Sequence, residues 1–250
     1  GRSLTDRRDE ALIATKFGMV WGDGPHGKGG SRKHMMDSLE GSLRRLQTDY
    51  VDLYQIHRQD PETPIEETLR ALDDAVRDGK IRYIGLSNFD PWRIADAQWT
   101  ARHHGLTQFI SSQPEYSMLE RGAERAVLPV CEEFGLGTLP YFPLAHGFLT
   151  GKYRRNEAVP DNTRLAHTPA AQEKRLSEAN FDILDQLEVF VEKRGHTMAE
   201  LAFAWILARK SVGSVIVGAS TADQIRQNAA AAEWELTSDE MDELTGILDG

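Results

Sequence analysis

Two ionisable residues stand where short apolar runs end. Lys16 closes Ala11-Leu12-Ile13-Ala14-Thr15, and His57 closes Val51-Asp52-Leu53-Tyr54-Gln55-Ile56. Alternation along a strand puts Leu12, Ala14 and Lys16 on one face, and Val51, Leu53, Gln55 and His57 on one face of the next. Either residue alone reads as an ordinary strand-end charge. Together, at the same end of neighbouring strands, an ammonium and an imidazole could polarise an oxygen and move a proton. Further strand ends deliver neutral donors and acceptors: Ser87-Asn88, Gln113, and Gly218-Ala219-Ser220. Such groups suit a carboxamide or a sugar, although Ser and Asn also favour turns. Gln224 and Asn228 share a helical face beyond Ser220, where backbone N–H groups and the helix dipole could receive an anion.

The elements that must position these residues alternate. Strand-like runs at 11–15, 50–56, 81–86, 109–112, 137–142 and 214–217 are separated by segments of helical period. Helix starts are marked at Ser31, at Thr63-Pro64-Ile65-Glu66, at Asp90-Pro91, and by the Thr197/Glu200 and Thr237/Glu240 pairs, with Thr221 before one more. Gly79, Gly105, Gly135 and Gly195 mark helix ends. The polar stretch 153–172, with Pro160 and Pro169, reads as a surface loop. Strand–helix alternation implies parallel pairing, in an open doubly wound sheet or a closed barrel. Six strands are two short of a barrel.

Composition narrows the class. The 250 residues carry 29 Lys+Arg against 39 Asp+Glu, a formal charge of −10, which argues against nucleic acid as a partner. No apolar run approaches a membrane span, and the single Cys131 fits a reducing, cytoplasmic location. The string Gly22-Asp23-Gly24-Pro25-His26-Gly27 matches a dinucleotide fingerprint but opens no helix, and is set aside. His103-His104 lacks further ligands at metal spacing, and Cys131 reads as a core thiol.

Five segments in order carry a family resemblance: Ile13-Ala14-Thr15-Lys16; Leu43-Arg44-Arg45-Leu46 leading to Asp49-Tyr50-Val51-Asp52-Leu53-Tyr54-Gln55-Ile56-His57; Gly79-Lys80-Ile81-Arg82 through Gly85-Leu86-Ser87-Asn88-Phe89; Pro143-Leu144 through Gly147-Phe148-Leu149-Thr150-Gly151-Lys152-Tyr153; and Gly218-Ala219-Ser220 with Gln224 and Asn228. The chain resembles the aldo-keto reductases over its whole length. The resemblance implies one (β/α)8 TIM-barrel domain spanning 1–250, with the first two strand–helix units outside this sequence. It implies NADP(H) as cofactor, with NAD(H) still open, and a small carbonyl substrate reduced by hydride. It assigns no membrane, nucleic acid or oligomeric state.

The same resemblance implies roles. Lys16 and His57 match the family's catalytic Lys and His, while its Asp and Tyr fall on the segment before Lys16. Ser87, Asn88 and Gln113 match carboxamide-binding positions, and Tyr116 matches the residue that stacks on the nicotinamide. Leu144, Gly147 and Lys152 match the pyrophosphate loop and Arg164 the adenosine side. Gly218, Ser220, Gln224 and Asn228 match the 2′-phosphate cradle. Phe142 replaces a frequent Ser, and Thr221 a frequent Lys or Arg, which loosens the NADPH preference. Tyr54 faces away from His57 and is a poor substitute acid. The other class to weigh is a nucleotide-binding regulatory subunit with little turnover, since the chain also resembles potassium-channel β-subunits; a metal-dependent barrel hydrolase would need clustered ligands.

Overall fold

A computed structural model describes residues 1–24 and 26–250, arranged as two compact units. The first comprises Gly1–Pro114 with Ala126–Thr138. In it, strands and helices alternate: β1 (Ala14–Phe17), α1 (Arg32–Leu46), β2 (Val51–Ile56), α2 (Ile65–Arg77), β3 (Ile81–Ser87), α3 (Pro91–His104), β4 (Ser111–Gln113), α4 (Val127–Phe134) and β5 (Gly137–Thr138). The strands form one parallel sheet in sequential order. Each helix start has a local cause. Ser31 Oγ accepts from the His34 N–H at the head of α1, satisfying one of the donors a helix leaves free. Pro91 occupies the first turn of α3, and left-handed Gly105 and Gly135 end α3 and α4.

Alternation divides the strand residues between two environments. Phe17, Tyr54, Ile56, Ile84 and Leu86 are buried in one apolar core with Met35 and Leu39 of α1, Leu69 and Leu72 of α2, and Cys131 of α4. Each such side chain contributes about 1.5–3 kcal/mol on leaving water. Tyr54 stacks on Phe17 with ring centroids 5.0 Å apart, and its hydroxyl donates to Met35 O at 3.4 Å. The opposite face runs through one register row: Lys16, Gln55, Gly85, Ser111 and Gly137. That row is polar or side-chain-free throughout.

The second unit comprises Glu115–Arg125 with Leu139–Gly250 and is mainly helical: α5 (Pro169–Arg175), α6 (Glu178–Glu192), α7 (Met198–Leu207), α8 (Ala222–Ala230) and α9 (Ser238–Asp249). The Thr197/Glu200 and Thr237/Glu240 capping boxes form at α7 and α9, and Thr221 Oγ1 caps α8. Within α7, Leu201, Phe203, Trp205 and Ile206 are all buried. No described helix is long and apolar enough to cross a membrane.

Several expected boundaries are corrected. The first strand starts at Ala14, because Asp52 takes the Ile13 N–H on its carboxylate at 2.8 Å. The fourth strand is Ser111–Gln113, not 109–112, and the fifth is cut to Gly137–Thr138. Residues 214–217 make no strand; Ile216 forms a lone parallel bridge to Tyr141. Stretch 153–172 is not a simple surface loop: Tyr153 and Leu165 are buried, Leu165–His167 form a helical turn, and α5 begins at Pro169. Thr63 does not cap α2, since its hydroxyl donates to Asp60 at 2.7 Å and leaves Pro64 at the cap position. In the set-aside glycine string, Pro25 lies outside the described residues; the Gly27 N–H closes a turn onto Gly24 O, and the next helix begins at Arg32.

Candidate active site

In the first unit the ends of β1 to β4 are tied to one another. The His57 N–H donates to Phe17 O at 2.8 Å, extending the β1–β2 ladder by one residue. Asn88 follows β3 with φ of 56°, a conformation Asn tolerates better than most residues. Its Nδ2 donates to His57 O at 3.0 Å and to Ser87 Oγ at 2.9 Å. Ser87 Oγ donates in turn to Gln113 O at 2.8 Å. Four strand ends are thus linked through short side chains with few rotamers to lose.

Lys16 and His57 line one cavity of about 370 Å³, together with Met19, Trp21 and residues of α1. Burial lowers the Lys16 ammonium below its usual pKa. Among the described residues its ammonium forms no ion pair or hydrogen bond. His57 is also lowered, first by burial and then by the positive charges of Lys16 and Arg58. Two cationic groups in a half-dry cavity oppose each other's charge, so His57 is neutral at pH 7 and can offer a ring N–H. Trp92 does not line this cavity and is exposed. Gln113 is buried, and its Nε2 has no hydrogen-bond partner among the described residues. Such a donor suits a ligand carbonyl oxygen.

In the second unit, Tyr116 is 0% exposed. Its ring lies 5.2 Å from that of Trp205; its hydroxyl donates to Glu124 at 2.7 Å and accepts from Arg209 at 2.9 Å. The turn after Tyr141 has an unusual backbone. Phe142, Ala145 and His146 take φ of 56°, 46° and 61°, followed by Gly147 at 90°. Side chains resist the left-handed region, so three non-glycine residues there mark a turn held by its surroundings. The Gly147 N–H donates to Leu144 O at 2.8 Å, and a Cβ on Gly147 would lie 2.9 Å from Lys152 Nζ. Lys152 therefore lies directly against this turn. The Arg164 guanidinium lies 5.2 Å over the Phe142 ring.

Further along, the Ser220 N–H donates to Gln224 Oε1 at 2.6 Å at the head of α8, where Gly218 and Ser220 are exposed; Asn228 follows one turn after Gln224. Sequence reasoning missed Arg175. It is 2% exposed, donates to Leu119 O at 2.9 Å, and pairs with Glu115 at 3.0 Å and Glu120 at 3.1 Å. Its sequence signal is weak: one basic residue in a polar stretch, some sixty positions from its partners.

Comparison with known proteins assigns this parallel α/β frame to a family. The Aldo/keto reductase family model matches residues 1–249, and the chain belongs to that family, whose fold is the (β/α)8 barrel. It is 38% identical over 229 residues to the L-glyceraldehyde 3-phosphate reductase of Escherichia coli (strain K12), covering 90% of this chain and 65% of that protein. It is 38% identical over 241 residues to a probable voltage-gated potassium channel subunit beta of Arabidopsis thaliana, covering 93% and 71%. To the versiconal hemiacetal acetate reductase of Aspergillus parasiticus it is 37% identical over 211 residues, covering 84% and 61%. The chain thus spans about two thirds of the length of the curated relatives it matches.

Proposed function

We propose that this chain serves NADPH-dependent reduction of an aldehyde or ketone to the alcohol. The observation that carries the reading is the shared cavity of Lys16 and His57, two groups that can bring positive charge and an N–H to one carbonyl oxygen. When bound, the nicotinamide supplies hydride to the carbonyl carbon. As negative charge grows on the oxygen, a neutral His57 donates a hydrogen bond to it and the Lys16 ammonium stabilises it, while the proton that completes the alcohol falls to the family's Tyr, which the resemblance puts before Lys16. Tyr54 takes no part, because its hydroxyl is turned toward Met35 and burial pushes its ionisation up.

The resemblance assigns residues of each unit to polar parts of a nicotinamide dinucleotide. The unpartnered Gln113 Nε2 and the fixed Ser87–Asn88 pair suit a carboxamide. The left-handed turn with Leu144, Gly147 and Lys152 suits phosphate oxygens, with Arg164 beside it on the adenosine side. Gly218, Ser220, Gln224 and Asn228 are assigned to the ribose phosphate, and Tyr116 to the nicotinamide face. Thr221 is engaged in capping α8, so NADH is tested beside NADPH. The test is oxidation of each cofactor by an aromatic aldehyde, followed by nicotinamide absorbance, in the unmutated full-length protein and in its Lys16→Met and His57→Ala variants. We expect turnover that falls at least tenfold in both variants. Equal rates in all three would overturn the reading; tight NADPH binding without turnover would favour a nucleotide-binding regulatory role.

A further inference from the structure

The register row that begins with Lys16 continues into Gln55, Gly85 and Ser111. Gln55 is 0% exposed, and neither Oε1 nor Nε2 of its carboxamide has a hydrogen-bond partner among the described residues. The Ser111 hydroxyl in the same row has none either. A buried amide left unsatisfied at both ends is costly, and an apolar side chain of the same size would avoid that cost. The backbone makes room for these polar groups. A Cβ on Gly85 would collide with Ser111 Oγ and lie 3.1 Å from Gln55 Cγ, so the absence of a side chain there lets the two lean together. On the other side of Gln55 stands Lys16, whose half-buried amine makes no hydrogen bond among the described residues.

We propose that Gln55 is a positioning residue for Lys16: its carboxamide oxygen accepts from Nζ, while Nε2 donates across Gly85 to Ser111. This rests on the reading of Lys16 as a site residue. Lys16 and Gln55 are register partners on adjacent parallel strands, and side-chain rotations of the lysine stem and of the Gln55 carboxamide would form both bonds. A glutamine orients the amine without adding a charge of its own, whereas a carboxylate at position 55 would raise the Lys16 pKa. The other charged groups facing Lys16 in the cavity are His57 and, from α1, Asp37, Arg44 and Arg45, with Asp37 already paired to Lys33.

The test is competitive acylation of Lys16 with acetic anhydride across pH, read by mass spectrometry, in the unmutated chain, Gln55→Glu and Gln55→Met. We expect the Glu variant to lower Lys16 reactivity about tenfold at mildly alkaline pH, the effect of one pKa unit, and the Met variant to raise it about threefold. Unchanged profiles in two folded variants would overturn the proposal. Should either variant fail to fold, heteronuclear NMR of the side-chain amides in the unmutated chain decides. The Gln55 signals should titrate with the Lys16 midpoint, and a flat response would overturn it. Aldehyde reduction is assayed separately. Altered labelling without turnover supports the role of Gln55 while removing the carbonyl reading, whereas turnover with unaltered labelling does the reverse.

Discussion

At the ends of β1 to β4 the polar geometry belongs to side chains, those of Lys16, His57, Ser87, Asn88 and Gln113. In the turn over residues 142–147 the backbone itself is the unusual feature, with Phe142, Ala145 and His146 left-handed and cationic Lys152 and Arg164 lying against it. The first region is organised by burial and by hydrogen bonds among short side chains. The second unit anchors its own features differently, through charge pairs around the buried Arg175 and through the Arg209–Tyr116–Glu124 bonds. A neutral substitution should therefore harm the first region through packing, and a charge removal should harm the second through an unpaired ion.

Arg175→Met should cost about 3 kcal/mol, because Glu115 and Glu120 lose their shared partner; the urea midpoint of unfolding measures it, and a loss below about 1 kcal/mol would erase the contrast. Gly85→Ala should cost about 2 kcal/mol by overpacking against Ser111 and Gln55. Gly85→Ala with Ser111→Gly should recover most of that loss, and no recovery would place the strain elsewhere. Asn88→Ala removes two hydrogen bonds and a residue tolerant of positive φ, for about 1.5 kcal/mol. Its expected signature is faster amide exchange at the ends of β2 and β3 with the helices of the second unit unaffected.

The smallest effect concerns charge. Lys16→Met should raise the His57 midpoint part of the way toward 6.5, since burial remains and only one neighbouring cation is lost; NMR titration of the imidazole reads it, and an unmoved midpoint would separate the two residues electrostatically. The sign for stability follows from the same depression. Unfolded His57 takes up a proton near pH 6.5, before the folded chain does, so its contribution is present at pH 7 and declines as pH falls through about 6.5.

Strand alternation and end position were enough to put Gln55 and His57 on one face of their strand, Tyr54 on the other, and Lys16 at the same end of the neighbouring strand, because a period of two is set by backbone geometry alone. The helix caps at Ser31, Thr197, Thr221 and Thr237 were equally legible, each being a contact over three residues. What escaped sequence reasoning depends on distant partners. The Thr63 hydroxyl is diverted by Asp60, the strand expected at 214–217 shrinks to one bridge, and Arg175 meets carboxylates some sixty residues away. The left-handed residues at 142 and 145–147 were invisible because nothing about Phe, Ala or His signals positive φ.

The chain's single thiol has a practical consequence. Cys131 is sealed in the first unit's core and burial pushes its ionisation up to about 11, so an alkylating reagent at neutral pH finds neither access nor thiolate while the fold is closed. Each modification event must then wait for that core to open. Alkylation kinetics would time such openings from one atom, with no added probe.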